Sequence, residues 1–103
     1  MSSVFKALSD PTRRRVLELL RDGPQSAGDL AAKFDVSKPT MSAHFGVLRE
    51  ANLVISEKQG KSVIYHLQLS VLEDALLGFA QIFGLGAPDA ADQKPSKNQS
   101  VES

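Results

Sequence analysis

The chain has 103 residues, enough for one small domain with a single hydrophobic core and too few for two. It has no cysteine, which excludes a disulfide framework, a thiolate zinc site, a thiol redox sensor and a cysteine nucleophile, and its two histidines make a metal site from protein ligands alone hard to build. The formal net charge is zero, and the absence of any run of about twenty apolar residues excludes a transmembrane helix and membrane insertion.

Two helices are predicted at the start of the chain. Asp10 is a natural N-cap for the second of them, and Pro11 occupies its first helical position, where the missing N–H of proline costs nothing. Gly23 and Pro24 end this helix. Apolar residues recur with helical spacing in both segments. They are Val4, Phe5 and Leu8 in the first helix and Val16, Leu17, Leu19 and Leu20 in the second.

A short helix, a polar turn and a longer helix follow. Ser26 begins the short helix in a pattern similar to a capping box, with Asp29 in the place usually taken by Glu. Ser37 caps the longer helix, which has Pro39 in its first turn, and Asn52 is its expected C′ residue. The longer helix has one apolar stripe at helical spacing. The stripe consists of Met41, Phe45 and Leu48.

Two strands and a last helix complete the predicted elements. Apolar and polar residues alternate on both sides of a polar hairpin tip over 57–62, which contains one glycine. Ser70 and Glu73 form a capping box that opens the last helix, and Gly84 and Gly86 end it. This helix is apolar over a wide arc. Its apolar residues are Val71, Leu72, Ala75, Leu76, Phe79, Ile82 and Phe83.

The order of these elements predicts a mainly α-helical fold with a small β-hairpin, in the order α-α-α-α-β-β-α. A short helix joined by a tight turn to a second capped helix is a helix-turn-helix, and the hairpin after it makes the fold a winged helix-turn-helix. We expect residues 1–86 to form this domain. Residues 87–103 are polar and are expected to form a disordered tail, because they cannot bury enough apolar surface to become ordered.

Charge and side-chain size in the first two thirds of the chain favour double-stranded DNA as the ligand. Residues 1–66 contain ten Lys and Arg against seven Asp and Glu, whereas residues 67–103 contain two against five. Nucleic-acid affinity depends on such local charge and not on the total. The second helix of the motif carries small hydrogen-bonding side chains opposite its apolar stripe, and the major groove of B-DNA admits a helix of that width.

Three segments resemble the ArsR-type winged-helix repressors, in the same order and over about residues 4–85. They are Asp10-Pro11-Thr12-Arg13 with the apolar residues that follow, the run from Val36 to Phe45 with Val47-Leu48, and Gly60-Lys61 with Val63-Ile64-Tyr65. The resemblance implies a homodimeric bacterial transcriptional repressor that binds a pseudo-palindromic operator near its own gene. It also implies that the first and last helices pair across the dimer.

The chain lacks the ligands of the metal-sensing members of that family. Those sensors carry a cysteine pair around the first helix of the helix-turn-helix, and residues 27–31 contain no thiol. Other sensors place Asp and His ligands on the last helix, where this chain has Glu73 and Asp74 but no histidine. We therefore expect no metal site and no cofactor. The chain is similar to the sensorless members, which include autorepressors controlled by a regulatory protein partner or by expression level.

The resemblance and the geometry of groove docking together indicate two DNA-binding segments. In the recognition helix the expected residues are Ser37, Lys38, Pro39, Thr40, Ser42, Ala43 and His44. In the wing they are Lys58, Gln59, Gly60 and Lys61. Two alternatives stay open: His44 either reaches a phosphate, which would make affinity pH-dependent, or packs beside Phe45. Likewise, the wing lysines either contact phosphates or only keep the surface solvated.

The densest positive run is Arg13-Arg14-Arg15, and three consecutive helical residues cannot all face one partner. One of them is expected to pair with Asp10 or with Glu18, the latter four residues after Arg14. The others are candidates for phosphate contact. Arg49, at the far end of the recognition helix, is a less favoured candidate for the same contact.

The apolar arc of the last helix is too wide to be explained by the core of one small chain. With the first helix, it suits a two-fold interface between two copies. The expected interface residues are Val4, Phe5, Leu8, Leu72, Ala75, Leu76, Phe79 and Phe83.

Two other functions are less well supported by the sequence. One alternative is a winged-helix protein-interaction module that uses the last helix, because a fold alone does not determine a function. An enzyme is not expected, since no catalytic constellation of carboxylates and histidines and no phosphate-binding loop can be recognised. The N-terminus has no charged start followed by an apolar run, so we expect no secretory signal and a cytoplasmic protein.

Overall fold

The computed structural model of the chain describes residues 3–85, which contain five helices and three strands. The elements are α1 Ser3–Leu8, α2 Pro11–Arg21, β1 Gln25–Ser26, α3 Ala27–Ala31, α4 Lys38–Glu50, β2 Val54–Gln59, β3 Ser62–Leu67 and α5 Leu69–Ile82. Two compact units are distinguished, one up to residue 72 and one from residue 73. The architecture is the winged helix-turn-helix that the sequence predicts, with α3 and α4 as the motif and β2 and β3 as the wing. Gly86 and the predicted tail at 87–103 lie outside the described residues.

Helix starts follow the capping signals of the sequence. Each of the three predicted N-caps, Asp10, Ser26 and Ser37, accepts a hydrogen bond from a backbone N–H two or three residues later, over 2.8–3.3 Å. At the other end of α4, Asn52 has a positive φ of 59°, as expected of a C′ residue, and follows the C-cap Ala51. The positions of these helices are therefore largely determined by local chemistry.

The Asp10 cap makes a pH-dependent contribution to stability. Burial raises the pKa of Asp10, but hydrogen bonds from the backbone N–H groups of Arg13 and Thr12 and the electrostatic effect of the nearby His44 and Arg13 side chains outweigh it, so the pKa lies below its ordinary value of 3.8. A carboxyl group whose pKa is lowered on folding stabilises the fold above its unfolded-state pKa, and this contribution is lost as the pH falls through the folded-state value.

We expect Asp10→Ala to lower the free energy of unfolding by about 1–2 kcal/mol at neutral pH, because the first N–H groups of α2 lose their acceptor. The difference from the wild type should shrink below about pH 4. Urea denaturation at neutral pH and near pH 3 measures both effects. Asp35→Ala, at an exposed aspartate, is the matched control and should change stability by less than about 0.5 kcal/mol. An Asp10→Ala effect of the same size at both pH values would contradict this account.

The wing is tighter than the sequence predicts. The register runs from Val54 opposite Leu67 to Gln59 opposite Ser62, so the loop has only two residues, Gly60 and Lys61. The polar residues assigned to a six-residue tip over 57–62 therefore belong mostly to the strands. Gly60 has a φ of 61°, and glycine at the first position of a two-residue loop is typical of a type II′ turn.

A third strand completes the sheet, and the sequence did not predict it. β1 pairs antiparallel with β3, placing Gln25 opposite Tyr65 and Ser26 opposite Ile64, and the sheet order is β1-β3-β2. Two residues are too few to show an alternating pattern, and one of them, Ser26, is also the N-cap of α3. The pairing joins the wing to the start of the helix-turn-helix.

The core lies beneath α4. Its predicted stripe is buried, and Leu48 is completely enclosed. The sequence assigned Val4 to a dimer interface, but it is 6% exposed and belongs to the core of the single chain, because α1 packs against α4 and α2. The other buried apolar residues are Ala7, Val16, Leu17, Leu20, Leu30, Ala51, Leu53, Val54 and Tyr65.

The last helix begins before its predicted cap. α5 starts at Leu69, so Ser70 lies inside the first turn and the predicted capping box is wrong. The reason lies in Gln68, whose N–H donates to the Leu53 carbonyl over 2.8 Å while its own carbonyl accepts from the Val71 N–H over 3.1 Å. The chain thus passes from the sheet directly into the helix.

The end of α5 agrees with the sequence at Gly84, which has a φ of 65°. The N–H of Gly84 donates to the Gln81 carbonyl over 3.3 Å, and the N–H of Leu85 donates to the Ala80 carbonyl over 2.8 Å, a Schellman closure.

No residue of α5 is buried. The exposed apolar side chains from this helix onward are Leu69, Leu76, Leu77, Phe79, Ile82, Phe83 and Leu85. Within residues 3–85, no helix is long and apolar enough to cross a membrane.

Candidate nucleic-acid interface

The first half of α4 presents a polar face of small side chains. Opposite the buried stripe, the predicted recognition residues are exposed, with the exception of His44. The exposed ones are Ser37, Lys38, Pro39, Thr40, Ser42 and Ala43. Ser37 not only accepts from the Thr40 N–H but also donates its hydroxyl to Thr40 Oγ1 over 2.9 Å. The structure therefore brings these residues together at the start of one rigid helix.

The wing places its predicted residues at one end of the hairpin. Lys58, Gln59, Gly60 and Lys61 are all exposed there. An acidic group lies next to them: Glu57 Oε1 is 3.0 Å from His66 Nε2 and accepts a hydrogen bond from Gln59 Nε2 over 3.4 Å. The sequence did not predict this pair, which depends on the register of β2 and β3. The wing tip combines two lysines with a partly paired carboxylate.

A cleft separates the recognition helix from the wing. It has a volume of about 360 Å³. Its lining comes from α3, α4 and β3 and includes Met41, Phe45, Tyr65, Lys38 and Arg49. The rings of Phe45 and Tyr65 lie 4.9 Å apart, and Arg49 NH1 donates to the Tyr65 hydroxyl over 2.7 Å. These contacts hold α4 and β3 in a fixed relation.

The arginine run serves mainly to join α1 to α2. Arg15 pairs with Glu18 over 3.0 Å, which confirms that one arginine of the run pairs with Glu18, but at a spacing of three and not from Arg14 at a spacing of four. Arg14 instead donates to the Leu8 carbonyl over 2.7 Å. The last carbonyls of a helix have no partner within it, and those of α1 lie within reach of both Arg13 and Arg14. The turn between α1 and α2 brings the two arginines next to these carbonyls, and residue spacing in the sequence does not reveal this turn.

His44 lies apart from the other predicted recognition residues. Its side chain is only 14% exposed, with Nδ1 3.1 Å from Arg13 NH1 and Nε2 3.9 Å from Asp10 Oδ2. Direct contact of His44 with DNA stays a prediction, and this placement disfavours it. A contact between residues 31 positions apart leaves no signal in a single sequence.

The described residues offer no group of three or more His, Cys, Asp or Glu side chains that could hold a metal ion. Glu73 and Asp74 lie exposed on α5. A carboxylate pair alone falls short of the three or four protein ligands that transition-metal sites use.

Comparisons with known proteins identify the family. A family model described as a helix-turn-helix domain matches residues 8–57. The transcriptional repressor SdpR of Bacillus subtilis is 43% identical over 76 residues, which cover 74% of this chain and 84% of the relative. The ArsR-like transcriptional regulator from Rhodococcus sp. RHA1 is 34% identical, with a TM-score of 0.71 over 81% of this chain and 78% of that chain. This chain belongs to the ArsR-type repressors.

This ArsR-type protein is a transcriptional repressor with a helix-turn-helix DNA-binding domain, and its relatives are regulators, not enzymes. A further relative, the arsenical resistance operon repressor of Staphylococcus xylosus, is 38% identical over 73 residues, which cover 71% of this chain and 70% of that protein. α4 is the second helix of its helix-turn-helix motif.

Proposed function

We propose that this ArsR-type repressor binds double-stranded DNA sequence-specifically, as a homodimer on a pseudo-palindromic operator upstream of its own gene. The observation that carries the proposal is the exposed polar face of α4, held in place by a buried stripe on the other side of the same helix. The protein acts in the cytoplasm, like other repressors that must reach DNA.

The two exposed segments have different tasks in this proposal. Ser42, with a short side chain on the outer face of α4, reaches base edges in the major groove. Lys38, in the first turn, contacts a phosphate, helped by the positive end of the helix dipole. Lys58 and Lys61 at the wing tip contact phosphates of the flanking backbone. The bases supply specificity and the phosphates supply position.

The dimer is proposed from the exposed apolar side chains of α5. Leu76 is 47% exposed and Phe83 is 62% exposed, and a monomer rarely leaves so many large apolar side chains in water. The N–H of Phe83 donates to the Phe79 carbonyl and continues the helical turn one residue past α5, so at 100° per residue Leu76 and Phe83 fall on one face with Leu72, Ala75 and Phe79. An isologous dimer whose two recognition helices bind one turn of B-DNA apart, about 34–36 Å, would select an inverted repeat.

Control of repression is proposed to come from outside the chain. The sequence contains no cysteine, and the described residues contain no cluster of metal ligands. A regulatory protein partner or the expression level itself then decides operator occupancy. Addition of zinc should leave operator binding unchanged, and loss of binding with zinc would contradict this part of the proposal.

The test is fluorescence anisotropy on the duplex upstream of the gene and on a scrambled duplex, at two salt concentrations. We expect a clear preference for the upstream duplex. Lys38→Ala and Lys61→Ala should each weaken binding to both duplexes and reduce the slope of log affinity against log salt by about one. Lys6→Ala, at an exposed lysine of α1 outside both segments, is the matched control and should leave the slope unchanged.

If neither lysine variant alters affinity for any duplex, the docking model is wrong. If the wild type binds no duplex at low salt but captures a defined partner protein tightly, the alternative of a protein-interaction module that uses α5 replaces the proposal.

A further inference from the structure

One guanidinium group, that of Arg13, connects the three helices α1, α2 and α4. Arg13, in the first turn of α2, donates from Nε to the Ala7 carbonyl over 2.8 Å and from NH2 to the Lys6 carbonyl over 3.0 Å. Its third nitrogen, NH1, lies 3.1 Å from His44 Nδ1 on α4. Arg13 therefore closes the end of α1 and contacts the middle of α4 with the same planar group.

This contact fixes the hydrogen-bonding role of the His44 Nδ1 atom. A guanidinium remains protonated and can only donate hydrogen bonds, so His44 Nδ1 must be the acceptor. The tautomer that can accept this hydrogen bond carries its proton on Nε2, which faces the Asp10 carboxylate at 3.9 Å. Protonation of the ring would place an N–H on Nδ1, directly against the N–H of Arg13, and the hydrogen bond would be lost.

The charged groups around the ring belong to α2 and its N-cap. The Arg13 guanidinium and the Asp10 carboxylate face its two nitrogens, and α1 meets the cluster through the backbone carbonyls of Lys6 and Ala7. Asp10 is in turn held by the N–H groups at the start of α2. The cluster is thus fixed on the α1–α2 side, and the His44 ring is the part that belongs to α4.

We propose that His44 is a positioning residue of the recognition helix: as a neutral acceptor for Arg13 it fixes the orientation of α4 for specific DNA binding, so that specific affinity falls when the ring is protonated. This inference rests on the proposed function. Ser42 and Ala43, which immediately precede His44 in the sequence, lie on the exposed face of α4, and their contacts in the groove depend on the rotation of α4 about its axis.

The direction of the pH effect separates this role from direct DNA contact. A histidine that touched a phosphate would bind more tightly when protonated, because it gains a positive charge. A positioning histidine loses its hydrogen bond to Arg13 and binds the operator less tightly, whereas binding to scrambled DNA, which depends on charge alone, is not weakened.

The test measures the affinity of the full chain for the upstream and scrambled duplexes at about pH 7.5 and about pH 5.5. We expect the preference of the wild type for the upstream duplex to fall about tenfold at the lower pH, the effect of losing one hydrogen bond to a charged group. His44→Asn keeps an acceptor close to the position of Nδ1 but cannot take up a proton. It should bind like the wild type at the higher pH and lose the pH dependence.

Two further variants complete the experiment. His44→Leu removes the acceptor and should show the reduced preference at both pH values, with thermal unfolding used to confirm that it is folded. His66→Asn removes the other histidine, which lies on the wing beside Glu57, and should retain the pH dependence of the wild type. Rescue by Asn but not by Leu would identify the acceptor, and not ring packing, as the essential property.

The inference is overturned if acidification tightens operator binding through His44, or if His44→Asn keeps the wild-type pH dependence. These two results can be interpreted only if the wild-type protein binds the upstream duplex more tightly than the scrambled duplex, as the proposed function predicts. If the wild type shows no preference at about pH 7.5, the proposed function fails first, and the role of His44 in specific binding fails with it.

Discussion

Leu76→Glu is expected to disrupt the proposed dimer, leaving a monomer, and to lower the affinity for the upstream duplex by about a hundredfold or more. Leu76 lies halfway along the length of the α5 face proposed as the interface and is 47% exposed in the single chain. In an isologous dimer, each copy would bring a carboxylate into the same apolar contact, where neither charge has a partner.

The loss of DNA affinity follows from the loss of linkage between two binding sites. When one recognition helix is bound, the second is held near its half-site at a high effective concentration, and a monomer has no such advantage. Binding to scrambled DNA, which depends on charge and not on the spacing of half-sites, should change much less.

Leu77→Glu is the matched control. Leu77 is 61% exposed, more than Leu76, but it lies about 100° further around the helix, toward Glu73, Asp74 and Gln81. Sedimentation equilibrium and anisotropy on the same samples should show a dimer with normal operator affinity for Leu77→Glu. If both variants remain dimeric, or if both become monomeric, the assignment of the interface to the Leu76 face is wrong.

Leu48→Ala should lower the free energy of unfolding by about 2–5 kcal/mol. Leu48 is completely enclosed, so the substitution removes apolar contacts and leaves a cavity beneath α4. A small domain has about 5–15 kcal/mol of stability in total, so a large part of it would be lost. The effect should appear as a lower urea midpoint with an unchanged slope.

Val47→Ala provides the comparison, because Val47 is the preceding residue of the same helix and is only partly buried. It should cost about 1 kcal/mol or less. Both variants must be measured at one protein concentration, since a dimer links stability to concentration. If both variants lose the same free energy of unfolding, the complete burial of Leu48 is not what makes its packing beneath α4 important.

Much of the fold could be predicted from the sequence because its signals are local. The N-caps at Asp10, Ser26 and Ser37 and the C′ residue Asn52 each act on backbone groups within a few residues. The stripe of α4 follows from the helical period alone. The sequence also predicted which residues form the outer face of α4, and these residues are exposed as expected, with the exception of His44.

The features that escaped prediction are those that depend on contacts between distant segments. Strand β1 exists only because Gln25 meets Tyr65, forty residues later in the sequence. The contact of Arg13 with His44 depends on the packing of α2 against α4, and no pattern of spacing describes it. The burial of Val4 has the same origin, since α1 has an apolar face whether that face meets its own chain or a second copy.

Ser26 has a consequence for the thermodynamics of DNA binding. The same residue pairs with Ile64 of the wing and caps α3, the first helix of the DNA-binding motif. The wing and the motif are therefore joined by a backbone pairing as well as by the chain between them, and neither has to become ordered relative to the other on the duplex. At this junction binding then costs little conformational entropy, and the junction adds no contribution from folding to the heat-capacity change of binding.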